Sequence, residues 1–116
     1  SKIEIIFESN TTQRFNDFIE TTLYRISTEL IKNTLSYGEA SQVKIQLMYD
    51  EQNNEINFDY ADNGIGFDME KIGEKGTGLG IMNIQQRVKV LRGRLEMESQ
   101  PGAGAKTKIR IPVENL

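Results

Sequence analysis

Two glycine clusters, a carboxylate at the mouth of the first, and a Glu/Asn pair on a helix are the residues here whose types and spacing could do chemistry. Asp62-Asn63-Gly64-Ile65-Gly66 and Gly76-Thr77-Gly78-Leu79-Gly80 bracket a short polar segment and hold five of the chain's ten glycines. Glycine is costly to order, but it reaches positive φ and carries no Cβ, so such crowding marks backbone that must come close to something. The second cluster runs into a helical pattern, Ile81, Ile84, Val88 and Leu91. Its last amides therefore fall near a helix N-terminus, where unpaired N–H groups and the helix dipole favour phosphate. The Walker A pattern is absent and the spacing is GxGxG rather than the dinucleotide fingerprint, so a plain flexible loop remains the alternative. Phe67 to Lys75, in between, is too short and polar for a core element. It suits a movable lid hinged at Gly73 and Gly76, with Lys71 and Lys75 able to meet phosphate oxygens.

Asp62 ends a strand-like run, and Gly64 and Gly66 beside it would let a flat ligand approach. A carboxylate there accepts a hydrogen bond from an exocyclic amine, which selects adenine over guanine. The competing reading is a two-residue hairpin turn, for which Asp-Asn-Gly is a strong signal. Upstream, Glu29 and Asn33 stand at i and i+4 on one helix face, bordering the apolar stripe. A carboxylate next to an amide could act as proton acceptor and metal ligand, since Mg²⁺ takes oxygen donors. A solvated helix flank is the alternative.

The elements that must position these groups can be read from periodicity. Residues 2 to 7 form a first strand. Phe15, Ile19, Leu23, Ile26 and Leu30 recur at intervals of three or four, predicting a long amphipathic helix from about Arg14 to Tyr37, with Thr12 as a possible N-cap and Gly38 at its stop. Val43 to Tyr49 and Glu55 to Ala61 flank a turn-rich segment and predict a hairpin. A helix from about Leu79 to Arg92 stops at Gly93, and Arg94 to Glu98 with Lys106 to Ile111 closes the chain as a second hairpin. Helices segregated from hairpins in this way argue an α+β two-layer sandwich rather than a doubly wound parallel sheet.

Composition bounds the rest. The chain has 116 residues, 37% hydrophobic and 27% charged, with a formal net charge of -3, the size and make-up of one soluble domain. Interspersed charges give no electrostatic footprint for nucleic acid or anionic membrane. No cysteine is present, which removes disulfides and thiolate metal sites, and no apolar run approaches a membrane span. The start at Ser1 directly before a strand reads as a domain cut from a larger protein. Histidine is also absent, so any imidazole acting as base, ligand or phosphate acceptor must come from another segment or protein.

Taken together these stretches resemble the GHKL group of ATP-binding domains, most closely the catalytic (HATPase_c) domain of bacterial sensor histidine kinases. Leu23 to Leu35, LYRISTELIKNTL, resembles the N box of that family. DNGIGF, Asp62 to Phe67, and GTGLGIMNIQQRV, Gly76 to Val88, resemble its two glycine boxes, and Gly93 to Pro112 its closing hairpin. The N box and second glycine box are nearest the nitrate-sensor-like subfamily, in which Asn83 and Arg87 are frequent. The resemblance implies a Bergerat-type ATP-binding fold, a two-layer α/β sandwich with a mixed sheet, helices on one face and an ATP lid. It implies ATP and Mg²⁺ as cofactors. Asn33 would ligate Mg²⁺, Glu29 would polarise the attacking group as the catalytic residue, and Asp62 would bind the adenine amine. Gly64 and Gly66 would line the base pocket, and Lys75, Gly76, Thr77, Gly78, Leu79 and Gly80 would wrap the phosphates.

The implied activity is protein histidine kinase. The implied partners are the dimerisation and phosphoacceptor domain of the same sensor and a response regulator, with no nucleic acid and no membrane insertion by this segment. The implied setting is cytoplasmic, in a parent that can be membrane-anchored. The sequence departs from the family at Thr28, where glutamine is usual, at Ser36-Tyr37-Gly38, where Lys-His-Ala commonly follows, and at Ala105, which replaces a threonine. These departures motivate an alternative reading, a degenerate nucleotide-binding module that regulates a protein partner without phosphotransfer. A hydrolytic GHKL ATPase is a third.

Overall fold

The computed structural model describes residues 2–66 and 80–113. Five strands form one mixed sheet in the order β1-β2-β3-β5-β4, with β1 Glu4–Ser9, β2 Gln42–Asp50, β3 Glu55–Asp62, β4 Arg94–Ser99 and β5 Ala105–Pro112. β1 runs parallel to β2, with Ile5 opposite Val43 and Phe7 opposite Ile45. The other pairings are antiparallel. A parallel pair needs a crossover, and the helix α1, Asp17–Asn33, supplies it. The helix α2, Ile81–Val90, follows β3 in the described chain. The expected two-layer α+β arrangement is therefore the observed one.

Period-two patterning decides which sheet face is covered. Val43, Ile45, Ile56, Phe58, Tyr60, Ile109 and Ile111 are buried against Ile19, Leu23, Ile26 and Leu30 of α1 and Ile84 and Val88 of α2. The opposite face is laced by cross-strand ion pairs, Glu8 with Lys44 at 3.7 Å, Asp59 with Arg110 at 3.0 Å and Glu55 with Arg94 at 3.1 Å. Such surface pairs, open to solvent on at least part of each side chain, contribute little each, so the covered face carries the stability.

The start of α1 corrects the expectation. The helix is capped by Asn16, whose side chain accepts from the Ile19 N–H at 2.8 Å, not by Thr12. Residues 14 and 15 are held off the helix because Glu20 folds back onto them, taking Arg14 Nε at 2.9 Å and the Phe15 N–H at 2.9 Å. The Arg14 guanidinium, then the Phe15 amide, lower the Glu20 carboxyl to about 2. At its other end α1 loosens at Thr34 into a π-helical turn, Thr34–Gly38, and Glu39 takes a left-handed φ of 47°. α2 ends at Val90, and the left-handed residue after it is Arg92, φ 58°, rather than the expected Gly93. Gly93 is needed for another reason: a Cβ there would lie 2.7 Å from the Arg110 carbonyl oxygen, so β5 would have to move away.

Candidate functional site

Asp62 closes β3 on the face that α1 covers, two residues after buried Tyr60. α1 runs to its end over the same strand, and this brings Thr34 down onto both side chains. The Thr34 hydroxyl stands 2.5 Å from the Tyr60 phenol oxygen and 3.1 Å from Asp62 Oδ2, and the Leu30 carbonyl lies 3.2 Å from each of the two hydroxyls. Thr34 has one proton to give. A hydrogen bond to an ionised carboxylate is the stronger use of it, so Thr34 donates to Asp62 and accepts from Tyr60. The other carboxylate oxygen, Oδ1, accepts the Gly64 N–H at 2.9 Å.

Asp62-Asn63-Gly64 is thus an Asx turn, not the two-residue hairpin its sequence also allowed. Asn63 turns the other way, its Oδ1 accepting the Ser41 and Gln42 amides at 2.9 Å each, so the exit of β3 is tied to the start of β2. Burial pushes the Tyr60 phenol up to about 12; the bond with Thr34 works against this shift and the nearby Asp62 charge adds to it.

Glu29 and Asn33 are both half-buried, one turn apart near the end of α1. The Glu29 carboxylate packs against the α carbon of Gly80, where any Cβ would collide with it. Gly80 holds φ 64°, a left-handed value that also favours glycine, and its carbonyl accepts the Ile84 N–H at 3.0 Å to open α2. The N-box-like and second glycine-box-like stretches therefore meet at Glu29 and Gly80. α2 has no side-chain cap among the described residues, so its first turn keeps amides without a helical partner.

Gly66 comes close to the chain's own backbone. Its φ is 69°, and a Cβ on it would strike the Gln100 and Gly104 carbonyls of the β4–β5 turn, while Gly102 donates to the Ile65 carbonyl at 2.5 Å. The close approach that glycine permits at this position is to the chain's own hairpin. Ala105, the position that departs from the family, stands directly opposite Asp62 in the β3–β5 register.

The structure thus brings Glu29, Asn33, Asp62, Gly64 and Gly80 to one end of the layer between helices and sheet. Lys75, Gly76, Thr77, Gly78 and Leu79, with the proposed lid, lie outside the described residues. Thr34 and Tyr60 were missed from sequence. A signal existed for each, since Thr34 directly follows Asn33 and Tyr60 shares a strand face with Asp62. Among the described residues, no group of three or more aspartate or glutamate side chains is placed to hold a metal ion.

Comparisons with known proteins converge. Residues 19–115 match the family of histidine kinase-, DNA gyrase B-, and HSP90-like ATPases. The chain is 39% identical over 89 residues to the sensor histidine kinase ComP of Bacillus subtilis (strain 168), covering 77% of this chain and 11% of that protein. It is 32% identical over 114 residues to the oxygen sensor histidine kinase NreB of Staphylococcus carnosus (strain TM300), covering 96% of this chain and 31% of that protein. Among solved structures, the Acinetobacter baumannii histidine kinase AdeS superposes with a TM-score of 0.79 at 22% identity, over 98% of this chain and 56% of that one, a likeness of fold. The chain spans less than a third of the curated relatives it matches. With the motifs in order and the fold in agreement, the chain belongs to the histidine kinase-, DNA gyrase B-, and HSP90-like ATPase family, as an ATP-binding domain of the sensor histidine kinase type.

Proposed function

We propose that this domain binds Mg-ATP at the end of α1 and β3 and donates the γ-phosphoryl group to a histidine on a separate dimerisation domain, from which it passes to an aspartate on a response regulator. The observation that carries the reading is the setting of Asp62. A carboxylate on the covered face of the sheet, steered by Thr34 and the Gly64 amide, keeps acceptor capacity on both oxygens for an exocyclic amine.

The donor set fits a hard cation and a polyphosphate. Glu29 and Asn33 offer oxygen ligands one turn apart, and the α carbon of Gly80 leaves no room for a side chain beside Glu29. Asn33 is the Mg²⁺ ligand in this reading, and bound Mg²⁺ would supply charge neutralisation on the phosphates. Glu29 polarises the attacking imidazole, Gly64 and Gly66 flank the base, and Lys75, Gly76, Thr77, Gly78, Leu79 and Gly80 wrap the phosphates. In the transfer, the bond from the γ-phosphorus to its bridging oxygen breaks and one to the imidazole nitrogen forms, leaving ADP. Such transfer rests on positioning and charge stabilisation, so a chain without histidine can supply everything but the acceptor.

A second reading rests on Ala105. Its register opposite Asp62 removes a family hydroxyl from beside the carboxylate, as in a nucleotide-binding module that transfers nothing. Labelled ATP, this chain and the dimerisation segment of its parent sensor distinguish the two. Acid-labile phosphate on that segment is the expected result; ATP bound at micromolar concentration with no label transferred would establish the second reading instead.

A further inference from the structure

β3 buries two aromatic rings under the helices, Phe58 and Tyr60, each 3% exposed. They share a face of the strand, yet only Tyr60 brings a hydroxyl into the core. Burying a hydroxyl costs free energy unless it is bonded, and phenylalanine would fill the same space without that cost. What the phenol adds is therefore a proton placed in a chosen direction.

A serine or threonine on a helix ordinarily gives its proton to the carbonyl one turn back. Ser27 and Thr28 do so in α1, to the carbonyls of Leu23 at 2.8 Å and Tyr24 at 2.9 Å. Thr34 has the same outlet, the Leu30 carbonyl at 3.2 Å, so its bond to Asp62 Oδ2 at 3.1 Å competes with the usual one. Tyr60 bears on that competition from both sides. Its oxygen lies 2.5 Å from Thr34 Oγ1 and 3.2 Å from the Leu30 carbonyl, which also accepts the Thr34 backbone N–H. With the phenol proton on Thr34, the threonine oxygen is an acceptor at one end and a polarised, stronger donor at the other, and the ionised carboxylate is the better terminus for its own proton. Burial pushes the Tyr60 phenol up to about 12, so it holds that proton throughout the neutral range.

We infer that Tyr60 is a positioning residue for base recognition: by donating to Thr34 it commits the Thr34 proton to Asp62, and so fixes the carboxylate that receives the exocyclic amine. The inference rests on the reading of Asp62 as amine acceptor, and Tyr60, being buried, acts only through Thr34. Two nucleotides test it, ATP and purine riboside triphosphate, which lacks the amine. Each is titrated against the wild-type chain, Asp62→Ala, Tyr60→Phe, Thr34→Val and the Tyr60→Phe, Thr34→Val double variant. Tyr60→Phe keeps the ring, and should weaken ATP roughly 2- to 5-fold while leaving the amine-free nucleotide unmoved. With Thr34→Val already present, Tyr60→Phe should weaken ATP no further, because the two residues act in series. If Tyr60→Phe does not fold, a ring-fluorinated tyrosine at position 60, a stronger donor, should raise the preference for ATP over the amine-free nucleotide. Equal losses for the two nucleotides, losses that add to those of Thr34→Val, or a preference unmoved by fluorination would overturn the inference. So would an ATP affinity that Asp62→Ala lowers and Tyr60→Phe does not. An ATP affinity unmoved by Asp62→Ala would instead overturn the base-site reading, and the inference with it.

Discussion

Thr34 Oγ1 lies 3.1 Å from Asp62 Oδ2, a bond between the turn that ends α1 and the residue that ends β3. It steers the carboxylate and joins the helical layer to the sheet at the candidate site. Thr34→Val keeps the branched shape and removes the donor. At about 0.5–1.5 kcal/mol for one hydrogen bond, ATP affinity should fall roughly 2- to 10-fold while the fold survives. Calorimetric titration checks this, and an unchanged affinity would mean that Asp62 needs no steering.

Asp62→Ala should cost more, because it removes the acceptor itself. A hydrogen bond involving a charged group contributes about 1.5–3 kcal/mol, which predicts roughly 10- to 150-fold weaker ATP binding. GTP, which lacks the exocyclic amine at that position, should be affected far less. Equal losses for the two nucleotides would remove Asp62 from base recognition.

Asn33→Ala should act on the metal rather than the base. In the reading above it supplies an oxygen ligand, so the variant should bind ATP with a weaker dependence on Mg²⁺. Titrating Mg²⁺ at fixed ATP reads this directly; superimposable curves for variant and wild type would show the assignment to be wrong.

Gly80→Ala meets two obstacles, the left-handed φ of 64° and the Glu29 carboxylate. The backbone term alone is about 1–2 kcal/mol. Glu29→Ala removes only the second obstacle, so a double-mutant cycle on thermal or denaturant stability should give a coupling of about 1 kcal/mol, with the double variant more stable than the sum of the singles. Additive effects would place Glu29 away from Gly80 in solution.

The Tyr60 phenol, raised to about 12 from an ordinary 10.0, links stability to high pH. A raised value means that the folded state favours the neutral phenol. That contribution is complete below about pH 10 and is lost as pH rises through about 12. Tyr60→Phe should lower stability by about 1 kcal/mol near neutrality, through the lost bond to Thr34, and the gap to wild type should narrow between pH 10 and 12. A gap that stays constant would contradict this.

The order of strands and helices was legible in the sequence because apolar spacing distinguishes the two periods cleanly: Ile19 to Leu30 for α1, Ile56 to Tyr60 for β3. Boundaries were less legible. Thr12 and Asn16 are both good caps, and the choice was made by Glu20 reaching back to Arg14, a contact no local pattern announces. Asp62 was recognisable from its glycine neighbours, but Thr34 and Tyr60 were not, since a hydroxyl on a helix and one on a strand look like ordinary core polarity until the topology brings them together. Gly66 shows the converse. Its glycine signalled close approach, and the approach is to a turn more than thirty residues later in the chain.

The strand that ends in Asp62 occupies the middle of the five, with two neighbours on each side. Amide hydrogens in such a position exchange only when the whole sheet opens, whereas β1 and β4 can fray at the margins. Breathing of the outer strands should therefore leave the carboxylate where it is, and warming should abolish nucleotide binding only at the temperature where the domain melts as a unit.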